Sequence, residues 1–164
     1  MVLRSAHAMK SALGAVLVAV RRGSPCLPML LQQGINAIEC VRAEEGMGGT
    51  LADAVAAVPA GAGGYIIALA DMPFIRADSI AAVARALEAG AALAAPSYRG
   101  ERGHPVGLAA SYRAQVRALT GDAGARAIIQ RDAARITLVP VDDPGVLRDI
   151  DTPADLPQDA SPHR

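Results

Sequence analysis

The chain has 164 residues, with 16 Lys+Arg balanced by 16 Asp+Glu, 52% hydrophobic residues, 2% aromatic, 16 Gly and 11 Pro. This size and composition fit one globular domain and exclude a disordered tail or a collagen-like fibre. A formal net charge of zero leaves no cationic excess for nucleic acid or an anionic membrane surface, so small molecules and other proteins are the expected partners.

Residues 2–13 read as a helix, where nucleotide-binding α/β domains usually start with a strand and a glycine-rich turn. The continuous apolar run Ala15–Val20, closed by Arg21-Arg22-Gly23, reads as a strand buried on both faces of a parallel sheet. The stretch from Ala12 to Val20 is only about half the roughly 20 residues that a membrane helix needs. With Arg4 and Lys10 ahead of it, the stretch imitates a signal peptide, but no small-x-small cleavage site follows. A short helix over Pro25–Gln33 stopped by Gly34, then a strand over Asn36–Val41, continue the pattern. Cys26 and Cys40 form neither a CxxC nor a Cys/His array, so no disulfide framework and no structural zinc site are expected, and a reducing cytoplasm is the expected setting.

The turn Gly46-Met47-Gly48-Gly49-Thr50 precedes a helix over Leu51–Val58 and offers bare amides at a helix N-terminus, an anion or nucleotide contact. Glycine turns before helices also occur without any ligand. Tyr65–Leu69 is the clearest strand and runs into Ala70-Asp71-Met72-Pro73. Ligands of open α/β sheets bind beyond the carboxyl ends of strands, so Asp71 stands at a crevice edge or simply caps a turn. Next come a helix over Ala77–Ala89, a strand over Ala91–Ala95 and the polar loop Arg99–Pro105, which holds Arg102 and His104. Helices over Ser111–Leu119 and Gly124–Gln130 and a strand over Ile136–Val141 complete the series. After Val146-Leu147 comes Arg148-Asp149-Ile150-Asp151-Thr152-Pro153, whose Asp151 or Thr152 either caps a helix or, if Asp151 shares a crevice with Asp71, completes a paired hard-oxygen site for Mg²⁺. The alternation of strand and helix predicts a Rossmann-like, doubly wound, mostly parallel α/β sheet in one domain over residues 1–156, with a polar tail over 157–164.

Five segments in this order resemble the MobA-like nucleotidyltransferases, particularly the molybdenum cofactor cytidylyltransferase branch. They are Gly46–Leu51, Leu69–Pro73, Arg102–Val106, Gly121–Arg126 and Asp149–Leu156, within a resemblance that runs from about Ala15 to Leu156. The resemblance implies a fold of the nucleotide-diphospho-sugar transferase type and transfer of CMP or GMP from CTP or GTP to a molybdopterin-type phosphate acceptor, with pyrophosphate leaving. By the same likeness Asp71 and Asp151 are the catalytic, Mg²⁺-holding carboxylates, supported by Asp149. Gly46, Gly48, Gly49 and Thr50 line the base and ribose, and Arg102, His104 and Arg126 face the acceptor. A homo-oligomer or a molybdoenzyme is a further expected partner.

The family's first strand and its glycine-rich loop with an Arg and a Lys have no counterpart here; the only lysine is Lys10. The gap at that central strand is expected to be closed by pairing of its neighbours, by another chain or by the N-terminal segment. The alternatives to an active cytidylyltransferase-like enzyme are a catalytically silent binding or assembly module and a sugar-phosphate nucleotidyltransferase.

Overall fold

The computed structural model describes residues 1–150. The expectations for Asp151, Thr152 and Pro153 and for the tail 157–164 lie outside the described residues.

Helix α1 (Val2–Leu13) forms where the sequence places it. Gly14 ends it at φ 76°, a conformation cheap only for glycine, and donates its amide to the Lys10 carbonyl at 2.9 Å. Strand β1 (Leu17–Arg21) is joined by α2 (Cys26–Gln32) to β2 (Asn36–Cys40), and the two strands pair in parallel from Leu17–Asn36 to Arg21–Cys40. Helix α3 (Met47–Ala57), strand β3 (Gly64–Ile67) and helix α4 (Ala77–Glu88) follow.

Beyond α4 the simple alternation stops. Strand β4 (Leu93–Tyr98) pairs antiparallel with both the short β5 (Glu101–Arg102) and β6 (Val106–Ala109), and β6 lies between β3 and β4, antiparallel to both. Helices α5 (Arg113–Arg117) and α6 (Arg126–Arg131) lead to β7 (Ile136–Pro140), which pairs parallel with β4. The mixed α/β class holds. These antiparallel pairings are a correction of detail, because β5 lies inside the expected loop and Val106–Ala109 is too short a run to announce a strand. Gly107 fits β6 to its place, since a Cβ there would press on Val83 and Leu87 of α4.

Helices cover both faces. One core gathers Val55 of α3, Tyr112, Val116 of α5 and Ile128 and Ile129 of α6 against Tyr65, Leu93, Ala95, Val106 and Leu108. The opposite core joins Met9 of α1 and Ile80 of α4 with Met72, Ile75 and Val146. Strand β3 obeys the two-residue period: Tyr65 and Ile67 belong to the first core, Ile66 to the second.

The sheet comes in two parts. Strand β1 pairs with β2, β3 pairs with β6, and among the described residues no ladder joins β1 to β3. Of the three expected closures, direct pairing of the neighbours is therefore not the one adopted. The N-terminal segment bridges the gap as a helix instead of entering it as a strand. Ala6, Val2 and Leu3 of α1 pack in a core with Val16, Val18 and Val20 beside β1, while Ala8, Met9 and Ala12 pack with Ile66 and Leu69 beside β3. On the other side α3 packs against β1 and β2 and sends Val55 into the core that holds Tyr65. Among the described residues no helix is long and apolar enough to cross a membrane.

Candidate functional site

Asp71 stands just beyond the end of β3, where the chain turns through Met72, whose amide reaches the Leu69 carbonyl. Buried Met72 and Pro73 anchor that turn, and the Asp71 carbonyl accepts the Ile150 amide at 2.9 Å. Its side chain is left unusual: Oδ1 is buried and, among the described residues, has no hydrogen-bond partner. A buried carboxylate oxygen without a partner is costly unless a ligand or cation occupies it.

His104 is delivered from a second direction. Its amide donates to the Val146 carbonyl at 2.8 Å, and the Gly103 amide donates to the Pro96 carbonyl at 2.9 Å. Gly103 must be glycine because a Cβ would collide with that same Val146 carbonyl. His104 Nδ1 is also buried and without a partner among the described residues. Burial first, then the Arg102 guanidinium, hold the imidazole below its ordinary pKa, while the charges of Asp71 and Asp149 oppose the shift. The imidazole is accordingly neutral at pH 7 and feels both carboxylates. Asp71, Arg102 of β5 and Asp149 thus lie close enough to His104 for their charges to act on its imidazole. Among the described residues no group of three His, Cys, Asp or Glu side chains forms a metal cluster, and Asp151 lies outside them.

The glycine turn is built differently from expectation. Helix α3 already begins at Met47, so Gly48, Gly49 and Thr50 lie within its first turn. The Gly48 amide is not bare but donates to the Gly121 carbonyl at 2.7 Å. The Thr50 hydroxyl, inside that turn, donates back to the Gly46 carbonyl at 3.2 Å. All three glycines have packing reasons. A Cβ on Gly46 would strike Asp122 and Gly121, one on Gly48 would lie 2.6 Å from the Thr120 carbonyl oxygen, and one on Gly49 would strike the Arg42 carbonyl. The motif therefore docks on the Thr120–Gly124 loop, where Gly124 also lies against Met47. Arg126 opens α6 immediately after that loop and is exposed. Among the described residues no hydrogen bond or ion pair joins this group to Asp71, His104 or Arg102.

Two residues near the site, Ser5 and Phe74, carried no sequence signal. Ser5 of α1 donates its hydroxyl to the Ala70 carbonyl at 3.1 Å and ties the helix start to the residue before Asp71. Phe74, three residues after Asp71, carries the Arg4 guanidinium 5.3 Å and the Arg148 guanidinium 4.4 Å from its ring centre. A cavity of about 440 Å³ opens between the start of α1, α2 and the end of β3, lined by Met1, Val2, Cys26, Met29, Ala70 and Asp71. Asp143 is the other omission, and its Asp-Pro-Gly turn sequence was the signal that could have found it.

The sequence matches the model of the MobA-like NTP transferase domain over residues 1–137. No curated protein matches the chain. Among solved structures, the homologue of Mycobacterium tuberculosis Rv0371c from Mycobacterium sp. strain JC1 is 22% identical, with a TM-score of 0.73 over 94% of this chain and 79% of its own. Rv0371c from M. tuberculosis H37Rv is 18% identical, with a TM-score of 0.77 and the same coverage of 94% and 79%. Rv0371c in complex with manganese is 20% identical, with a TM-score of 0.73 over 94% of this chain and 83% of its own. Likeness at these identities concerns the fold, which is the mixed α/β fold of the nucleotide-diphospho-sugar transferase type.

Proposed function

We propose that this chain, which belongs to the MobA-like NTP transferase domain family, moves a nucleoside monophosphate from a nucleoside triphosphate to a phosphate acceptor. In that reaction an acceptor phosphate oxygen bonds to the α-phosphorus, the bond from the α-phosphorus to the bridging oxygen breaks, and its electron pair leaves with pyrophosphate. The observation that carries the reading is the buried Asp71 Oδ1, unpartnered among the described residues, beyond the end of a strand and close enough to His104 for its charge to act on the imidazole. The finer reading is CMP from CTP, with GMP from GTP as the alternative, and a molybdopterin-type terminal phosphate as acceptor. Its support is the likeness of Gly46–Leu51, Arg102–Val106 and the Asp149–Leu156 segment to the cytidylyl branch.

The residues fit a divalent cation. Asp71 supplies a hard oxygen that no group among the described residues uses, and Asp151 follows Ile150 in the sequence, whose amide is bonded to the Asp71 backbone. Asp71 and Asp151 would hold Mg²⁺ or Mn²⁺, which neutralises charge gathering on the α-phosphate oxygens. Phosphoryl chemistry leaves the protein mainly positioning work. His104, kept neutral, offers Nδ1 to an incoming phosphate oxygen, with Arg102 beside it to offset negative charge. Arg126 would act on the acceptor side, and Gly46, Gly48, Gly49 and Thr50 would line the nucleotide, both by family likeness.

One observation favours a second reading, a catalytically silent binding or assembly module: the Gly48 amide is already spent on Gly121, so the turn has fewer donors for a nucleotide. Pyrophosphate release from CTP or GTP with Mg²⁺ and molybdopterin separates the two. The enzyme reading expects release, and Asp71→Ala, folded by circular dichroism, should lower it by about a hundredfold or more. Nucleotide binding without any release would favour the silent module. An Asp71→Ala rate equal to wild type would remove Asp71 from the mechanism.

A further inference from the structure

We propose that the slot between β1 and β3 takes an extended peptide as an inserted strand, parallel to both, with a continuous apolar run followed by a basic residue. The two strands present unpaired edges to the slot: among the described residues β1 is laddered to β2 alone and β3 to β6 alone. Alternate residues of such a strand turn their amide and carbonyl away from its one neighbour. Among the described residues no backbone hydrogen bond of Val16–Val20 or Gly64–Ala68 reaches beyond these ladders. Burial agrees. Strand β4, with β6 on one side and β7 on the other, is buried from Leu93 to Ser97. Val16–Val20 and Ile66–Leu69 are as apolar, yet each of these residues is only half-buried. An open edge beside each strand accounts for that difference, and unpaired edges of this kind are templates for another strand.

The direction and chemistry of the occupant follow from the walls. Ser5, near the start of α1, is bonded to Ala70 beyond the end of β3. Lys10, near the end of α1, is bonded to Gly34 just before β2, whose start stands beside the start of β1. Helix α1 therefore runs opposite to both β1 and β3, and these two strands run the same way. It packs beside β1 through Ala6 and beside β3 through Met9. A helix is about 10 Å across, which matches two ladder spacings of about 4.8 Å. With α1 on one face and α3 on the other, both sets of alternating side chains meet apolar surroundings, so the occupant is an apolar run without proline. At the carboxyl mouth lies the cavity of about 440 Å³, between Ala70 and Asp71 after β3 and Cys26 and Met29 of α2, the helix that follows β1. Asp71 carries the one charged side chain in its lining, and its Oδ1 is unpartnered among the described residues. A basic residue just past the apolar run meets that carboxylate. The slot does not depend on the transferase reading.

The test uses the full chain and a labelled synthetic peptide with the sequence of Ala15–Arg22, an apolar run closed by two arginines. Binding is read by fluorescence anisotropy and by amide hydrogen exchange. The expected result is saturable binding that slows exchange at Val16–Val20 and Ile66–Leu69 and leaves β4 and β7 unchanged. The same peptide N-methylated at alternate residues keeps its side chains and loses the amides of one edge, so it should bind about tenfold more weakly or worse. A version ending in two glutamates should also weaken by about tenfold, because a like charge then faces Asp71. Equal binding of the N-methylated peptide overturns the inserted strand, and equal binding of the glutamate version overturns its direction. A peptide-free chain that is already a dimer with these amides protected overturns the peptide in favour of a second copy. A folded monomer that binds no peptide overturns the site.

Discussion

Asp143 shows how a single side chain holds the site's surroundings in place. It is 2% exposed and accepts hydrogen bonds from the Arg76 amide at 2.9 Å, the Ser79 hydroxyl at 2.8 Å and the Gly145 amide at 2.9 Å. Through them one carboxylate caps the start of α4 and closes the turn that precedes Val146, the residue whose carbonyl holds His104. Removing it leaves three donors unsatisfied, one of them on a buried hydroxyl. Asp143→Ala should therefore cost about 2–4 kcal/mol, measured by urea unfolding; a loss below about 0.5 kcal/mol, the size of an ordinary surface change, would show the network to be dispensable. At this scale the sequence was readable where a residue follows a strand, as with Asp71. It was silent where a residue acts across the fold. Asp143-Pro144-Gly145 reads locally as a turn, but the bonds of Asp143 to Arg76 and Ser79, far away in the chain, leave no trace in local spacing.

At the scale of elements, the glycines of α3 show why a motif can be located correctly and still be read wrongly in part. Their spacing marks a close approach, yet spacing alone does not say whether a ligand or another loop comes near. The structure puts the Thr120–Gly124 loop there. Gly48→Ala would place a Cβ 2.6 Å from the Thr120 carbonyl oxygen and should destabilise the protein by about 1–3 kcal/mol, the usual cost of overpacking. Gly63→Ala, which meets nothing within 4 Å, should be neutral or gain up to about 1 kcal/mol from the stiffer unfolded chain. Thermal unfolding of the two variants side by side checks this, and equal stability would contradict the docking geometry. Helix α1 and strands β1, β2 and β7 were legible because long periodic or continuous apolar runs carry their own signal. Strand β6 was not, because Val106–Ala109 becomes a strand only through its two antiparallel neighbours.

For the whole molecule, the interrupted sheet is the feature that ties sequence, fold and function together. The helix-like opening was legible, and so was the resulting gap. The way the gap is spanned, by α1 on one face and α3 on the other, depends on packing between distant apolar residues such as Ala6 with Leu30 and Ile35 and was not. This arrangement leaves a cavity at the carboxyl side, bordered by the start of α1 and by Asp71, and it makes nucleotide binding the property on which every functional statement depends. The most direct measurement is calorimetric titration of the 164-residue chain with CTP and with GTP, each with and without Mg²⁺. Saturable binding of at least one nucleotide that requires Mg²⁺ and disappears in Asp71→Ala is the predicted result. A folded protein that binds neither nucleotide under any of these conditions would contradict the account.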